Sequence, residues 1–191
     1  MSVLPRVLPA SPSDHALIAA VANGNLEALG ELFERHEPGV RRYLGRIGVG
    51  ADDIDDLIQA TFLEIVRAAG RFDPAYAARS WILGIAIIMV RRQRRSLARA
   101  AARIVTWTRL SLGERATTPD ECWAGDQTLR VLARALASLA PAKRAAFVLV
   151  TLEGLSGEEA ARALGIPVNT VWTRLHHARA ELRAALAESE A

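Results

Sequence analysis

Residues 154–182 hold the side chains best suited to recognition chemistry. The run Gly154-Leu155-Ser156-Gly157-Glu158-Glu159-Ala160-Ala161-Arg162-Ala163-Leu164-Gly165-Ile166-Pro167-Val168-Asn169-Thr170-Val171 contains two devices that shape a chain locally. Ser156 and Glu159 have the S-x-x-E spacing of a capping box, which starts a short helix, and Ala160 is small where a crossing helix must approach. Gly165 supplies the left-handed residue of a tight turn, with Ile166 and Val171 plugging the angle behind it. The segment reads as a helix-turn-helix. On its second helix Val168, Val171, Leu175, Ala178 and Leu182 recur at three and four residues and face inward. The opposite face presents Asn169, Thr173, His176 and His177, flanked by Thr170, Trp172, Arg174 and Arg179. Asn169 to His177 spans ~12 Å, the reach of a helix end laid in a major groove. Polar side chains there reach base edges, and Arg and helix-start amides hold phosphates. A merely solvated helix face would require none of this turn chemistry.

Other chemistries find little support. There is no Gly-rich phosphate loop, no nucleophile with a base and no pair of carboxylates at a plausible pocket, so an enzyme is not expected. The histidines lie at 15, 36, 176 and 177. Neighbouring helical residues such as His176 and His177 diverge by about 100°, no third ligand is near in sequence, and no metal or other cofactor is expected. The one cysteine, Cys122, cannot pair within the chain, which fits a reducing, cytoplasmic setting. The longest apolar run, Trp81 to Val90, is half of the ~20 residues that cross a bilayer, and no signal-peptide pattern is seen at the N-terminus. Membrane insertion is therefore not expected.

The elements that position these residues follow from composition and period. Of 191 residues 51% are hydrophobic, 36 are alanine and only 5% are aromatic, which favours helices over strands. An all-α chain of two small helical domains is expected: a disordered tail over 1–12, a first unit over 13–95, a linker over 96–126 carrying Trp107, Cys122 and Trp123, and a second unit over 127–187. In the first unit, helices start at Ser13-Asp14 and at Asn25, the latter bending near Pro38-Gly39. A third runs from Asp52 to about Ala69 with Ile54, Leu57, Ile58, Thr61, Phe62, Ile65 and Val66 on one stripe and Asp52, Asp56, Gln59, Leu63 and Arg67 on the other. A fourth runs from about Ala75 to Arg95, with a buried middle including Trp81. The second unit holds segments over 127–139, 141–153, 157–164 and 168–187. All but one of the 24 basic residues are Arg. Charge is uneven: net −4 over 13–90, +7 over 91–115 and −1 over 116–191. This pattern implies separate surfaces for separate partners, with phosphate suited to the guanidinium-rich stretch.

Several motifs together resemble the extracytoplasmic-function (ECF) class of bacterial sigma factors in the sigma-70 family. Asp55-Asp56-Leu57-Ile58-Gln59-Ala60-Thr61-Phe62-Leu63 is similar to the D-L-x-Q-x-x-F signature of region 2, and Ser80-Trp81-Ile82-Leu83-Gly84-Ile85-Ala86 to its W-L-x-x-I-A signature. Leu136 to Arg144, Gly154-Leu155-Ser156, Thr170 to Leu175 and Ala178-Arg179 are similar to region 4. Their order and spacing cover nearly all of the helical chain.

The resemblance implies partners: core RNA polymerase, through its β′ coiled coil and β flap, promoter DNA, and a dedicated anti-sigma protein. It places Asp56 and Gln59, with Leu63 on the same outward stripe, against the β′ coiled coil. It also implies that the loop Gly70 to Arg79 captures a flipped base of the minus-ten element, with Phe72, Tyr76 and Arg79 as candidates. The second unit would read the minus-thirty-five element through Asn169, Thr170, Trp172, Thr173, Arg174, His176, His177 and Arg179. The sequence departs from the family where Arg-Asn and a later Asp are common. Those places hold Ile87, Ile88 and Arg92, so Arg91, Arg92 and Arg95 are expected to hold minus-ten phosphates electrostatically. Trp172 and His177 stand where a basic residue is common. The alternative is a stand-alone helix-turn-helix regulator that binds DNA without polymerase, which leaves Asp56 and Gln59 unexplained.

Overall fold

The computed structural model describes residues 12–105 and 127–189, and every regular element among them is helical. Residues 1–11 of the expected tail, and Trp107, Cys122 and Trp123, lie outside the described residues. Helix α1 (Asp14–Ala22) starts where the Ser13 hydroxyl accepts the Ala16 amide, and it stops at Asn23-Gly24, with Gly24 at φ +84°. Helix α2 (Leu26–Arg46) is capped by the Asn25 side chain and runs through Pro38 without ending there. Helix α3 (Ala51–Ala68) buries Ile54, Leu57, Ile58, Thr61, Phe62 and Ile65, and the buried Thr61 hydroxyl donates to the Leu57 carbonyl. Val66, expected on the same stripe, is exposed. A short 3-10 turn (Ala69–Arg71) follows.

Helix α4 (Ala78–Val105) begins three residues later than expected and continues ten residues past Arg95. The late start follows from Asp73, whose carboxylate accepts the Ala75 amide and holds Pro74 and its neighbours in a turn. The late end follows from residues 96–105, rich in Ala, Leu and Arg and free of Gly and Pro, which give a helix no reason to stop.

The second block contains α5 (Gln127–Ser138), α6 (Pro141–Phe147), α7 (Gly157–Leu164) and α8 (Val168–Ser189). Proline at the first position of α6 costs no hydrogen bond there. The end of α6 widens into a π turn (Val148–Leu152), in which the Glu153 amide donates to the Val148 carbonyl five residues back.

The two blocks share a core, where the sequence alone reads as two separate units. A single apolar cluster joins Leu32, Tyr43, Ile65, Ile82 and Ala86 of the first block to Val148, Leu149, Ala160, Leu164 and Val171 of the second. The contact is made by small residues. A Cβ placed on Gly84 of α4 would lie 3.2 Å from the Ala163 Cα of α7, so only glycine allows the two backbones this close without adjustment. Helix α4 is apolar almost all round because α2 and α3 cover one side and α7 covers another. A smaller cluster, with Leu136, Leu139, Phe147, Leu175 and Leu182, ties α8 to α5 and α6.

Candidate nucleic-acid interface

The turn between α7 and α8 forms as its residues dictate. The Ser156 hydroxyl accepts the Glu159 amide at 3.2 Å while the Glu159 carboxylate accepts the Ser156 amide at 2.8 Å, which satisfies two of the free amides of a helix start. Gly165 sits at φ +65° and ψ 42°, a conformation that a side chain disfavours. Val171, Leu175, Ala178 and Leu182 are buried, whereas Asn169, Thr173, His176, His177 and Arg179 are exposed and Thr170 is half-buried. The Thr173 hydroxyl donates to the Asn169 carbonyl at 2.9 Å, leaving its lone pairs facing outward. The His176 and His177 rings meet edge to face at 5.7 Å, and no group of metal-binding side chains occurs among the described residues.

Two recognition candidates have structural duties. The Trp172 ring is half-exposed and lies on Gly157, where a Cβ would fall inside contact distance of the indole. It therefore braces the start of α7 as well as facing out. Arg174 is half-buried and turned toward α4, where with Arg91, Arg94, Tyr43 and Leu164 it lines a cavity of about 220 Å³ between the blocks. Tyr43 is fully enclosed, its hydroxyl has no partner, and burial pushes its phenol well above the ordinary range against the opposing pull of Arg91. Arg144 stands nearby, its pKa lowered by burial and by the neighbouring Arg94 charge, and it donates to the Ile47, Leu139 and Ala137 carbonyls.

The loop before α4 separates its candidates. Phe72 is wedged between His15 and Trp81, with ring centroids at 5.4 and 4.9 Å, and packs on the core. Trp81, expected in the core, is itself half-buried. Tyr76 is exposed on one side and carries the Arg162 guanidinium of α7 over its ring at 4.2 Å. A mostly apolar cavity of about 340 Å³ opens beside it, lined by Trp81, Gly84, Ile85, Ile88 and Arg162 among others. Arg79 donates to both the backbone carbonyl and the carboxylate of Glu153 in the second block. Arg91 donates to the Leu164 carbonyl at 2.9 Å, closing the end of α7 from the other block, and Arg92 pairs with Glu64 at 3.3 Å. Ile87 is buried and Ile88 exposed, while Arg95 is exposed on the far stretch of α4.

On the outer side of the first block Asp56, Gln59 and Leu63 are exposed along α3, as the stripe predicts. Gln59 and Leu63 border a shallow groove of about 350 Å³ with Leu29, Phe33, Ile58 and Phe62, its lining drawn from α2 and α3 alone. Phe33, Leu63 and Val66 expose large apolar area there, and the Phe33 and Phe62 rings stack at 4.7 Å.

Sequence reasoning missed Glu153, Arg42 and Arg46. Glu153 is buried and holds arginines of the first block, with Arg46 at 2.6 Å, Arg79 in direct contact and Arg42 at 4.0 Å. One signal was present: Glu153 is the lone acid in residues 127–157 and follows the apolar run Ala145 to Leu152.

Known proteins account for both blocks. A sigma-70 region 2 family model matches residues 32–100, and a sigma-70 region 4 model matches residues 129–182. CarQ, an RNA polymerase sigma factor of Myxococcus xanthus, is 35% identical over 172 residues, which is 88% of this chain and 94% of its own. The chain belongs to the sigma-70 family. Within that family it is an ECF sigma factor. SigE, an ECF RNA polymerase sigma factor of Mycolicibacterium smegmatis, is 33% identical over 93% of this chain and 70% of its own. The solved structure of CnrH in complex with the cytosolic domain of CnrY matches at TM-score 0.66 and 30% identity, covering 92% of this chain and 97% of that one. As an alternative sigma factor it directs promoter recognition in transcription initiation, and nothing in these likenesses favours a stand-alone regulator. No described helix of the sigma factor is long and apolar enough to cross a membrane.

Proposed function

We propose that this sigma factor docks on core RNA polymerase through the outer face of α3, with Asp56, Gln59 and Leu63 against the β′ coiled coil and region 4 against the β flap. Helix α8 then reads the minus-thirty-five element through Asn169, Thr170, Trp172, Thr173, His176 and His177, with Arg174 and Arg179 on phosphates. Tyr76 and Arg79, with Phe72 as the supporting plug, take the minus-ten element, and Arg91, Arg92 and Arg95 hold its backbone. The working units are residues 13–95 and 127–187, joined by 96–126. The protein acts in the cytoplasm and catalyses no reaction of its own.

The observation that carries this reading is the division of surfaces. The α2–α3 groove is open, apolar and built by the first block alone, while the DNA-facing arginines and Tyr76 lie at or near the contact between blocks. Polymerase can dock before the DNA surfaces are uncovered. An anti-sigma protein that spans both blocks would hold them in this arrangement, and CnrH has been solved with such a second chain, the cytosolic domain of CnrY. The test is binding of the Leu63→Asp variant to core polymerase. Leu63 is half-exposed, so the substitution leaves the fold in place, and affinity should fall about 10-fold or more for one charge set in an apolar contact. Unchanged affinity refutes the assignment of this face.

A further inference from the structure

Glu153 makes no described contact with a cation of its own block. Its carboxylate has no exposed surface, and its partners are Arg42 and Arg46 of α2 and Arg79 of α4. Arg79 also donates to the Glu153 carbonyl at 2.6 Å, so the π turn presents both the backbone and the side chain of this residue to the first block. Taking a carboxylate out of water is costly, and well-packed apolar residues would join two blocks at least as firmly. What the arrangement does supply is an anion in a nest of guanidiniums, whose planar forks suit phosphate as well as carboxylate. Two of the arginines are open to solvent on their other side, with about half of each side chain exposed. Beside them lies a cavity of about 330 Å³ lined by Arg42, Arg79, Arg35 and His36. Arg35 and His36 are engaged with Asp14, which leaves Arg42 and Arg79 facing the opening.

We propose that Arg42, Arg46 and Arg79 form a binding site for the phosphates of single-stranded promoter DNA, and that Glu153 is the competitor built into the same chain. The inference rests on the proposed minus-ten role of the first block. Tyr76, the aromatic candidate for base capture, stands three residues before Arg79 and lies under Arg162 of the second block. Departure of the second block uncovers the phosphate site and the aromatic together. DNA phosphates and Glu153 therefore exclude one another, and apparent DNA affinity is reduced by the fraction of chains in which Glu153 is seated.

The experiment uses the full chain and a fluorescently labelled single-stranded DNA of mixed sequence, about 15 nucleotides long, read by anisotropy over a salt series. Glu153→Gln should bind roughly 10-fold more tightly than wild type, because one lost charge frees the site in most molecules. Its log K against log salt should steepen by about 2, at ~0.7 for each of three phosphates engaged. Adding Arg42→Ala and Arg46→Ala to Glu153→Gln should return both values to those of wild type. Should Glu153→Gln fail to give a cooperative melt, Glu153→Asp, which keeps the charge and withdraws it by one methylene, should show part of the gain. An unchanged affinity and slope in the folded acid variant, or a gain that survives loss of both arginines, overturns the proposal. Transcription with core polymerase by the same preparations separates the two ideas. Initiation by wild type without the Glu153 effect overturns the arginine site alone, and no initiation by wild type overturns the proposed function beneath it.

Discussion

A disulfide between Gly84→Cys and Ala163→Cys, in a Cys122→Ser background, should hold the two blocks together and stop transcription while leaving the fold intact. A Cβ built on Gly84 lies 3.7 Å from the Ala163 Cβ, inside the window of about 3.5–4.5 Å that disulfides occupy. The same Cβ lies 3.2 Å from the Ala163 Cα, so α4 and α7 must part by a few tenths of an ångström, which a helix pair can yield. Geometry sets the size of the effect. The minus-thirty-five and minus-ten elements are about 25 base pairs apart, or about 85 Å along a duplex at ~3.4 Å per pair. A closed unit of about 160 residues has a radius of gyration of about 15 Å and is roughly 40 Å across. A rigid closed chain cannot touch both elements. Promoter-dependent transcription by the oxidised protein with core polymerase should fall to the fraction left uncrosslinked on a non-reducing gel, and a thiol reductant should restore it. Full activity in fully crosslinked protein would show that the blocks need not part, and the argument from separation would fail.

Three further outcomes follow from individual residues. Asp56→Ala with Gln59→Ala should lose binding to core polymerase while its melting curve stays within ~0.5 kcal/mol of wild type, since both side chains are exposed; wild-type affinity refutes the role. In α8, Thr173→Ala and His176→Ala should change which minus-thirty-five sequence is preferred, by ~1 to 3 kcal/mol per lost base contact. Arg179→Ala should instead weaken all sequences about equally and lower the salt slope by roughly one, and a panel of promoter variants at several salt concentrations would expose a reversed pattern. Tyr43→Phe removes a buried hydroxyl with no partner, so stability should rise by up to about 1 kcal/mol, a gain of roughly 2–4 °C in Tm for a chain of this size; a fall in Tm would reveal a bond that this hydroxyl makes.

Much of the local structure was legible because local rules govern it. Ser13, Asn25, Ser156 with Glu159, and Gly165 each act within a few residues of themselves, and the caps and turn formed where their types require. The stripe of α3 could be read for the same reason, since burial follows the helical period. The end of α4 was harder. The basic run Arg91 to Arg95 reads as the edge of a domain, yet residues 96–105 lack a helix stop and the helix continues. The contact between blocks was not legible, because it depends on pairs far apart in sequence. Gly84 with Ala163, Arg91 with the Leu164 carbonyl, and Glu153 with Arg46 and Arg79 leave no periodic trace. The division of labour between Phe72 and Tyr76 depends likewise on His15, Trp81 and Arg162, which arrive from three other elements.

The most direct test of the account is reconstituted transcription. Purified core RNA polymerase, with and without the full chain, would be given fragmented DNA from the organism that encodes the protein, and the transcript starts would be mapped. The account predicts a discrete set of new starts that appear only with the chain, share paired minus-thirty-five and minus-ten elements, and vanish with the Asp56→Ala, Gln59→Ala double variant. Starts identical to those of core polymerase alone, from a folded chain at saturating concentration, would contradict it.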